Sequence, residues 1–180
     1  SGGDAAYVPA PPHTSTTDSA SGWARTAAVT TARRVAAGTY AAEFRERGLS
    51  ATLVESQSVV EAVRPLAESR DLDVFAGPVS ELHWTFDIGF LGDAVAAMAP
   101  AEAAATVDAV ADHVADDGRL VVVDKVESST AAAVRSLATG DGDVPTTETV
   151  GDWLHAAGFD DVETAPVPGT DRVAVIGSWE

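Results

Sequence analysis

The sequence predicts an α/β fold, a three-layer sandwich whose mostly parallel sheet ends in an antiparallel C-terminal strand pair. First, short β-type runs alternate with helical runs from Ala51 onward, which is typical of a parallel sheet with helices on both faces. Second, Leu120–Asp124 (LVVVD) is an apolar run between charged ends, as in a central parallel strand. Third, Val162–Pro166 and Arg172–Ser178 are separated by a short Pro-Gly turn, so they are expected to be antiparallel neighbours.

Punctuating residues set the bounds of the other predicted elements. Pro65 is expected at or near the end of its helix, because proline cannot continue one. Pro100 suits the first turn of a helix that ends before Gly118, and Thr146 or Thr147 is expected to cap a helix that Gly158 stops. The predicted strands are Ala51–Glu55, Leu72–Ala76 and Thr85–Leu91, and the predicted helices are Ser58–Ala67, Ala101–Ala115, Ser129–Leu137 and Thr147–Ala157.

Residues 22–48 allow two interpretations. The stretch is Ala-rich and contains no Pro, so it fits one continuous helix. It also fits a short strand around Thr26–Thr31, followed by a turn and a helix from about Val35. The second half is predicted to be helical in either case, with Gly48 as its stop. The two interpretations differ in whether the domain has a first strand.

The chain is strongly acidic, with 28 Asp and Glu residues against 11 Lys and Arg and a formal net charge of −17. Such acids either form a patch for cations and basic partners, or keep the surface hydrated in high salt, where screening removes most self-repulsion. They are spread along the chain without an acidic run, which favours salt adaptation and a halophilic source. No basic stripe is present to neutralise phosphates, so nucleic acid is not an expected partner.

Composition also excludes disulfide-rich and membrane-spanning proteins and indicates the domain organisation. Without Cys there is neither a disulfide framework nor a thiolate metal site, and no stretch approaches the apolar length of a membrane span. A cytoplasmic protein without a membrane partner is the default expectation. Residues 1–22 are rich in Gly, Pro, Ser and Thr and are predicted to be an extended or flexible arm, and residues 23–180 to be one α/β domain.

Two stretches carry a resemblance to a known family. Asp112–Val126 (DHVADDGRLVVVDKV) has a helix, a Gly turn and a central strand, and Trp153–Gly177 (WLHAAGFDDVETAPVPGTDRVAVIG) has a closing helix and strand pair. Both resemble class I S-adenosylmethionine (SAM)-dependent methyltransferases, especially small-molecule O-methyltransferases, and the resemblance runs from about Gly38 to the end of the chain. It implies a Rossmann-like fold, SAM as cofactor and a small molecule as methyl acceptor.

The resemblance also implies a set of cofactor-binding residues. In this family the second strand ends in an acidic residue that hydrogen-bonds the ribose hydroxyls, and here Glu55 ends that strand. Ser56 follows on the same rim, and Gly77 ends the third strand. Gly38 is what remains of the Gly-rich loop that follows the first strand in the family. The competing interpretation of Glu55 is a solvated residue at a strand end.

Two residues are candidates for a catalytic role. Asp93 follows the fourth strand, where ligands bind in such sheets, although an N-cap of a helix beginning at Ala94 is the interpretation that cap preferences favour. His83 is a candidate general base, although a surface or packed histidine is the commoner case. Lys125, the single Lys, is expected to form an ordinary ion pair at the same edge of the sheet. No metal site is predicted, because the four His share no HxxxH or HExxH spacing.

Departures from the family pattern keep an alternative open. Arg33, Arg34 and Pro78 stand where the family has small or acidic residues. They favour a methyltransferase-like domain that does not bind SAM and serves as a binding or interaction module, with a homodimer as a candidate assembly. A third hypothesis is another Rossmann-like nucleotide binder. A continuous helix over residues 24–47 would remove the first strand and exclude the enzyme hypothesis.

Overall fold

The computed structural model describes residues 26–31, 37–126 and 144–179, which form a seven-stranded sheet in the order β3-β2-β1-β4-β5-β7-β6. β1 to β5 run parallel, and β7 is antiparallel to both of its neighbours. The fold predicted from the sequence is confirmed. The strands are β1 (Thr26–Thr31), β2 (Ser50–Glu55), β3 (Asp73–Ala76), β4 (Phe86–Gly92), β5 (Val114–Asp124), β6 (Asp161–Pro166) and β7 (Val173–Ser178), and the helices are α1 (Ala37–Glu46), α2 (Gln57–Arg70), α3 (Pro100–Ala111) and α4 (Thr147–Ala156).

The chain before β2 forms a strand and a helix, which decides between the two interpretations of this region. β1 pairs with β2 on one side and with β4 on the other, so it lies in the middle of the sheet. α1 ends before Gly48, whose φ of 85° lies in the left-handed region that favours glycine. The predicted arm 1–22, the predicted helix Ser129–Leu137 and the pair Arg33 and Arg34 lie outside the described residues.

The prediction that α2 ends near Pro65 is wrong, because the helix continues to Arg70. Val60, Val63 and Ala67 are buried on one face, so packing against the sheet holds the helix together on both sides of the proline. Pro65 lies on the exposed face, where water can bind the carbonyl that lacks its helical donor. Tertiary packing here overrides a local breaker.

The helix predicted over Ala101–Ala115 is too long, because α3 ends at Ala111 and β5 already begins at Val114. Gly118 therefore lies inside β5, not beyond a helix. A Cβ on Gly118 would lie 2.8 Å from the Asp87 carbonyl oxygen of β4. The pairing of β4 with β5 shifts register between Phe86 and Ile88. A glycine inside a strand allows this close approach of two backbones.

The C-terminal elements agree with the predictions from sequence. The Thr146 side chain caps α4 by accepting a hydrogen bond from the Thr149 amide at 3.1 Å. Gly158 follows α4 with a φ of 102°. β6 and β7 are antiparallel, and β7 lies between β5 and β6. Because β7 runs against β5, the start of β7 lies beside the end of β5.

The two faces of the sheet bury separate cores, which confirms the three-layer arrangement. Leu91, Leu120 and Val175 belong to the core beneath α3 and α4, whereas Leu53 and Phe90 belong to the core beneath α1 and α2. Adjacent residues of β4 thus point to opposite faces, as the pleat of a strand requires. In the described part of the chain, no helix is long and apolar enough to cross a membrane.

Candidate functional site

Several polar side chains gather where the parallel strands end. The register pairs Glu55 with Ala76, Gly92 with Val123, and Asp124 with Val173. The ends of β2 to β5 and the start of β7 therefore share one edge of the sheet, which we name the carboxyl edge. The strand order reverses between β1 and β4, and ligands of open α/β sheets bind at the carboxyl edge near such a reversal.

A cleft of about 710 Å³ lies at the β2–β3 part of this edge. It is bounded by residues 54–57, by residues 77–80 and by one face of α3, and we name it the Glu55 cleft. Its volume falls within the range of about 300–1,000 Å³ that is usual for small-molecule sites. The cleft brings together three of the residues that the sequence proposed for cofactor binding, namely Glu55, Ser56 and Gly77. The Glu55 residue is 8% exposed, so its carboxylate is largely withdrawn from solvent.

Gly77 has a packing reason to be glycine as well as a place in the cleft. Its amide donates a hydrogen bond to the Glu55 carbonyl at 3.0 Å, which ties the ends of β2 and β3 together. A Cβ at this position would lie 2.9 Å from the Phe75 ring and 3.3 Å from a Glu81 carboxylate oxygen. Ser80, from the same short helical turn as Glu81, lines the cleft beside Pro78.

Gly38 lies apart from the Glu55 cleft. It is buried in the first turn of α1, and a Cβ there would lie 2.5 Å from Leu66 Cδ2 of α2. The close contact between α1 and α2 is therefore what this structure requires of Gly38. Its assignment to cofactor binding stays a prediction, because the connection from β1 to α1 over residues 32–36 lies outside the described residues.

Asp93 is buried and forms an ion pair with Arg172, which is partly exposed. The Arg172 Nε donates to Asp93 Oδ1 at 2.7 Å, and Nη2 donates to Oδ2 at 2.9 Å. The Tyr40 hydroxyl lies 3.5 Å from the same Oδ2. The side chains of Asp93 and Arg172 are 7% and 24% exposed. Both carboxylate oxygens of Asp93 are thus bound by a guanidinium, which holds them in a bidentate geometry.

The interpretation of Asp93 as a helix cap is wrong. The short helix that follows runs over Val95–Ala97, its N-cap residue is Ala94, and no side chain caps it from that position. Asp124 takes this role from the neighbouring strand, because its Oδ2 accepts a hydrogen bond from the Ala96 amide at 3.0 Å. Cap preferences read along the sequence miss a carboxylate that arrives from another strand.

Lys125 forms the exposed ion pair that was expected of it. Its Nζ donates to an Asp171 carboxylate oxygen, and the two side chains are 53% and 64% exposed. Its backbone amide donates to Asp124 Oδ1 at 2.7 Å. Asp124 is 3% exposed and so has backbone donors on both oxygens. A smaller cavity of about 430 Å³ lies here, between Asp93, Asp124 and Asp171.

These contacts shift three pKa values. Burial, and then the charge of Asp93, raise the pKa of the Tyr40 phenol above its ordinary value of 10.0, so Tyr40 stays protonated at neutral pH. The hydrogen bonds to Asp93 raise the pKa of Arg172. The hydrogen bond from Lys125 lowers the pKa of Asp171. The first two shifts keep Tyr40 neutral and Arg172 charged at neutral pH.

His83 is not brought to the carboxyl edge. It is exposed and precedes Phe86, the first residue of β4, so it lies at the opposite end of that strand. The ring nitrogens Nδ1 of His113 and His155 lie 3.2 Å and 3.0 Å from the backbone carbonyls of Trp84 and Phe159, where they hold loops. Among the described residues, no group of three or more His, Cys, Asp or Glu is arranged to hold a metal ion.

Arg172 is the residue of this edge that sequence reasoning missed. It stands 79 positions after Asp93, and a single Arg at the start of a predicted strand carries no signal of its partner. The signal that existed was indirect. An antiparallel last strand places its first residue at the carboxyl edge, so the residue that precedes β7 was a candidate for that edge.

Comparisons with known proteins agree on the fold. No protein-family model and no curated protein sequence matches the chain. Among solved structures it is similar to an O-methyltransferase family protein from Burkholderia thailandensis, with a TM-score of 0.69 and 19% identity over 87% of this chain and 51% of that chain. It is also similar to human N-acetylserotonin methyltransferase in complex with SAM, with a TM-score of 0.68 and 14% identity over 87% of this chain and 48% of that chain.

A third similar structure is a mitomycin 7-O-methyltransferase, with a TM-score of 0.67 and 20% identity over 86% of this chain and 49% of that chain. The chain therefore spans about half the length of the structures it matches. At these identities the likeness is one of fold. The chain has the Rossmann-like fold of class I methyltransferases, with their parallel sheet and antiparallel closing strand.

Proposed function

We propose that this protein transfers a methyl group from SAM to a small-molecule acceptor, and that the Glu55 cleft holds the nucleoside half of the cofactor. The observation that carries the proposal is Glu55 itself. A largely buried carboxylate ends β2 at the carboxyl edge and borders a cleft of about 710 Å³. The fold shared with known methyltransferases supports the same function.

The residues of the cleft fit the nucleoside half of SAM. A carboxylate accepts hydrogen bonds from the two ribose hydroxyls, and such charge-assisted bonds are stronger than neutral ones. Val79 and Met98 line the cleft with apolar surface against which a base can lie, and Ser80 and Thr106 add hydroxyl groups at its wall. When bound, SAM supplies an activated methyl group.

The contribution of the chain to catalysis is binding and orientation. Holding an acceptor in line with the methyl donor removes much of the entropic cost of a bimolecular reaction. We assign Asp93 to architecture, because Arg172 binds both of its carboxylate oxygens. We assign no proton transfer to His83, because it lies beyond the opposite end of β4 from Asp93.

The proposed setting is a salt-rich cytoplasm. The formal net charge of −17, with acids spread along the chain, supports a surface that stays hydrated at high ionic strength. The same charge disfavours nucleic acid as a partner. We expect the free energy of unfolding to rise with KCl concentration, as urea unfolding at a series of salt concentrations would measure.

Calorimetric titration with SAM and with S-adenosylhomocysteine in molar KCl tests the proposal. Glu55→Gln keeps the shape of the side chain but removes its charge, and we expect it to weaken SAM binding about tenfold or more, since hydrogen bonds to charged groups contribute roughly 1.5–3 kcal/mol. Glu163→Gln is the matched control, because Glu163 is exposed on β6. Wild-type protein that is folded but releases no heat with either ligand would refute the proposal.

One observation favours the alternative, a domain of this fold that does not bind SAM and acts as an interaction module. Arg172 binds both oxygens of the Asp93 carboxylate at the end of β4, so a ligand there would have to compete with this ion pair. Light scattering after size-exclusion chromatography distinguishes the two functions when combined with the titration. A homodimer that binds neither SAM nor S-adenosylhomocysteine would support the alternative.

A further inference from the structure

Three side chains from distant parts of the sequence meet at the carboxyl edge. Arg172 precedes β7, Asp93 follows β4, and Tyr40 belongs to α1. Arg172 binds Asp93 in a bidentate pair, and the Tyr40 hydroxyl donates to Asp93 Oδ2. We name these three residues the Arg172 anchor. It joins α1 to the end of β4 and to the start of β7.

The backbone around Asp93 is shaped for this contact. Asp93 has a φ of 51°, in the left-handed region that few residues other than Gly, Asn and Asp adopt readily. The preceding residue, Gly92, lies against the Tyr40 ring, where a Cβ would be 2.7 Å from a ring carbon. The Tyr40 and Phe90 rings lie 4.8 Å apart. The Tyr40 ring therefore packs on Phe90 and Gly92 of β4, and its hydroxyl reaches the Asp93 carboxylate just after that strand.

A continuous set of contacts leads from the anchor to the Glu55 cleft. Tyr40 and Gly38 both belong to the start of α1, and Gly38 packs on Leu66 of α2. α2 begins at Gln57, directly after Glu55 and Ser56, and all three of these residues border the cleft. A displacement of α1 would therefore move α2 and, with it, the rim that carries Glu55. Energetic coupling between sites passes through packed elements of this kind.

We propose that Arg172 is a positioning residue for the Glu55 cleft. The Arg172 guanidinium binds Asp93, and Asp93 accepts a hydrogen bond from Tyr40. Tyr40 thereby fixes the position of α1, and α1 in turn positions α2 and the rim of the cleft. Arg172 itself touches no ligand in this scheme. The part of the proposal that concerns SAM affinity rests on the proposed function, whereas the part that concerns α1 and α2 does not.

Hydrogen exchange in Arg172→Ala tests the positioning without any ligand. We expect amide exchange to become faster in residues 38–44 of α1 and residues 57–60 of α2, and to stay unchanged in residues 147–156 of α4. Methylguanidinium, which can occupy the space left by the Arg172 side chain, is expected to restore slow exchange. Arg119→Ala is the control, because Arg119 is an exposed arginine of β5 and belongs to neither α1 nor α2.

SAM affinity is the second readout. By calorimetry, we expect Arg172→Ala to raise the Kd for SAM about tenfold, a coupling of ordinary size for residues that act through others, and methylguanidinium to recover it. Arg172→Lys, which keeps the charge but loses the bidentate geometry, serves as the variant if Arg172→Ala does not fold. Tyr40→Phe should reproduce a part of both effects.

The outcomes separate the two proposals. Folded Arg172→Ala or Arg172→Lys protein with wild-type exchange in α1 and α2 would overturn the positioning role, whatever the affinity for SAM. Faster exchange confined to β7 and the hairpin turn would overturn it too, because the pair would then be a local structural contact. Wild-type protein that does not bind SAM would refute the proposed function, and the exchange data would still decide the role of Arg172.

Discussion

The two halves of the carboxyl edge are built in different ways. At the ends of β4 and β5, Asp93 and Asp124 are buried, and both oxygens of each carboxylate are bound by a guanidinium or by backbone amides. At the ends of β2 and β3, Glu55 is also buried but borders a cleft of about 710 Å³. The cavity that Asp93 and Asp124 border is smaller, at about 430 Å³, and the ion pair of Lys125 and Asp171 lines it.

The difference follows from the direction of β7. Because β7 is antiparallel to β5, the residues that precede it, Asp171 and Arg172, arrive at the carboxyl edge beside Asp124 and Asp93. Arg172 supplies a cation to Asp93, and Asp171 supplies a carboxylate to the Lys125 ammonium. β2 and β3 have no such antiparallel neighbour in the described sheet, and one face of α3 borders the cleft at their ends. The direction of β7 thus explains why Asp93 has an Arg partner from a distant part of the chain.

The largest expected effect on stability comes from removing the ion pair between the end of β4 and the start of β7. Arg172→Ala leaves Asp93 buried without its cation, and we expect it to lower the free energy of unfolding by about 3 kcal/mol, as is usual when one partner of a buried pair is removed. Urea unfolding in molar KCl measures the change. A loss no larger than the ~0.5 kcal/mol scatter of surface substitutions would mean that this half is not held by the ion pair.

A smaller loss of stability is expected when a side chain is added at Gly92, against the Tyr40 ring. In Gly92→Ala the new Cβ would lie 2.7 Å from the Tyr40 ring, and overpacking of this kind costs about 1–3 kcal/mol. Gly151→Ala in α4 is the matched control, because its Cβ would lie at an ordinary contact distance of 3.6 Å from Val162. Thermal unfolding of both variants should show a lower Tm for Gly92→Ala and an unchanged or higher Tm for Gly151→Ala.

The pKa of Tyr40 depends on the charges of Asp93 and Arg172. Asp93→Asn removes a negative charge that raises the Tyr40 pKa, so the pKa should fall, while Arg172→Ala removes a positive charge that lowers it, so the pKa should rise. Ultraviolet absorbance of tyrosinate follows the transition, which Tyr40→Phe identifies. Because the pKa is raised in the folded protein, the stability that Tyr40 contributes is complete below pH 10.0 and is lost as pH rises through the folded-state pKa.

The smallest effect is expected for the exposed pair of Lys125 and Asp171. The hydrogen bond from Lys125 lowers the Asp171 pKa, so the stability of the pair is present above the ordinary carboxyl pKa and is lost as pH falls through the folded-state value. Lys125→Gln should raise the Asp171 pKa toward its ordinary value, as carboxyl carbon chemical shifts would show, and leave Tm nearly unchanged at neutral pH. A large fall in Tm would contradict the division between a structural buried pair and a minor exposed pair.

Predictions from sequence succeeded where one segment contains the information. The run LVVVD, the Thr146 cap and the short turn before β7 each depend on neighbours in sequence, and the structure confirms all three. They failed at Pro65 and at the boundary between α3 and β5. At Pro65 the burial of several side chains contributes more than one unmade hydrogen bond costs. At the second place, pairing of Val114 with Phe86 of β4 extends β5 into the predicted helix.

The candidate site also contains residues that the sequence could place and contacts that it could not. Glu55, Ser56 and Gly77 lie at the ends of predicted strands, so strand order alone placed them at one edge, and the structure shows that they share a cleft. Asp93 was placed at the same edge, but its partners were not predictable. Arg172 is 79 residues away and Tyr40 is 53 residues away. A contact over such a separation leaves no periodic pattern in the sequence.

The sequence by itself determined the class of fold, because hydrophobic periodicity and turn residues are local properties that specify strands, helices and an antiparallel closing pair. It also determined the acidic surface and the carboxylates that end the strands. The tertiary structure decided that Arg172 binds Asp93 and that Glu55 borders the cleft of about 710 Å³. That decision depends on the direction and order of strands in the sheet, which bring Arg172 to Asp93 and α3 to the ends of β2 and β3.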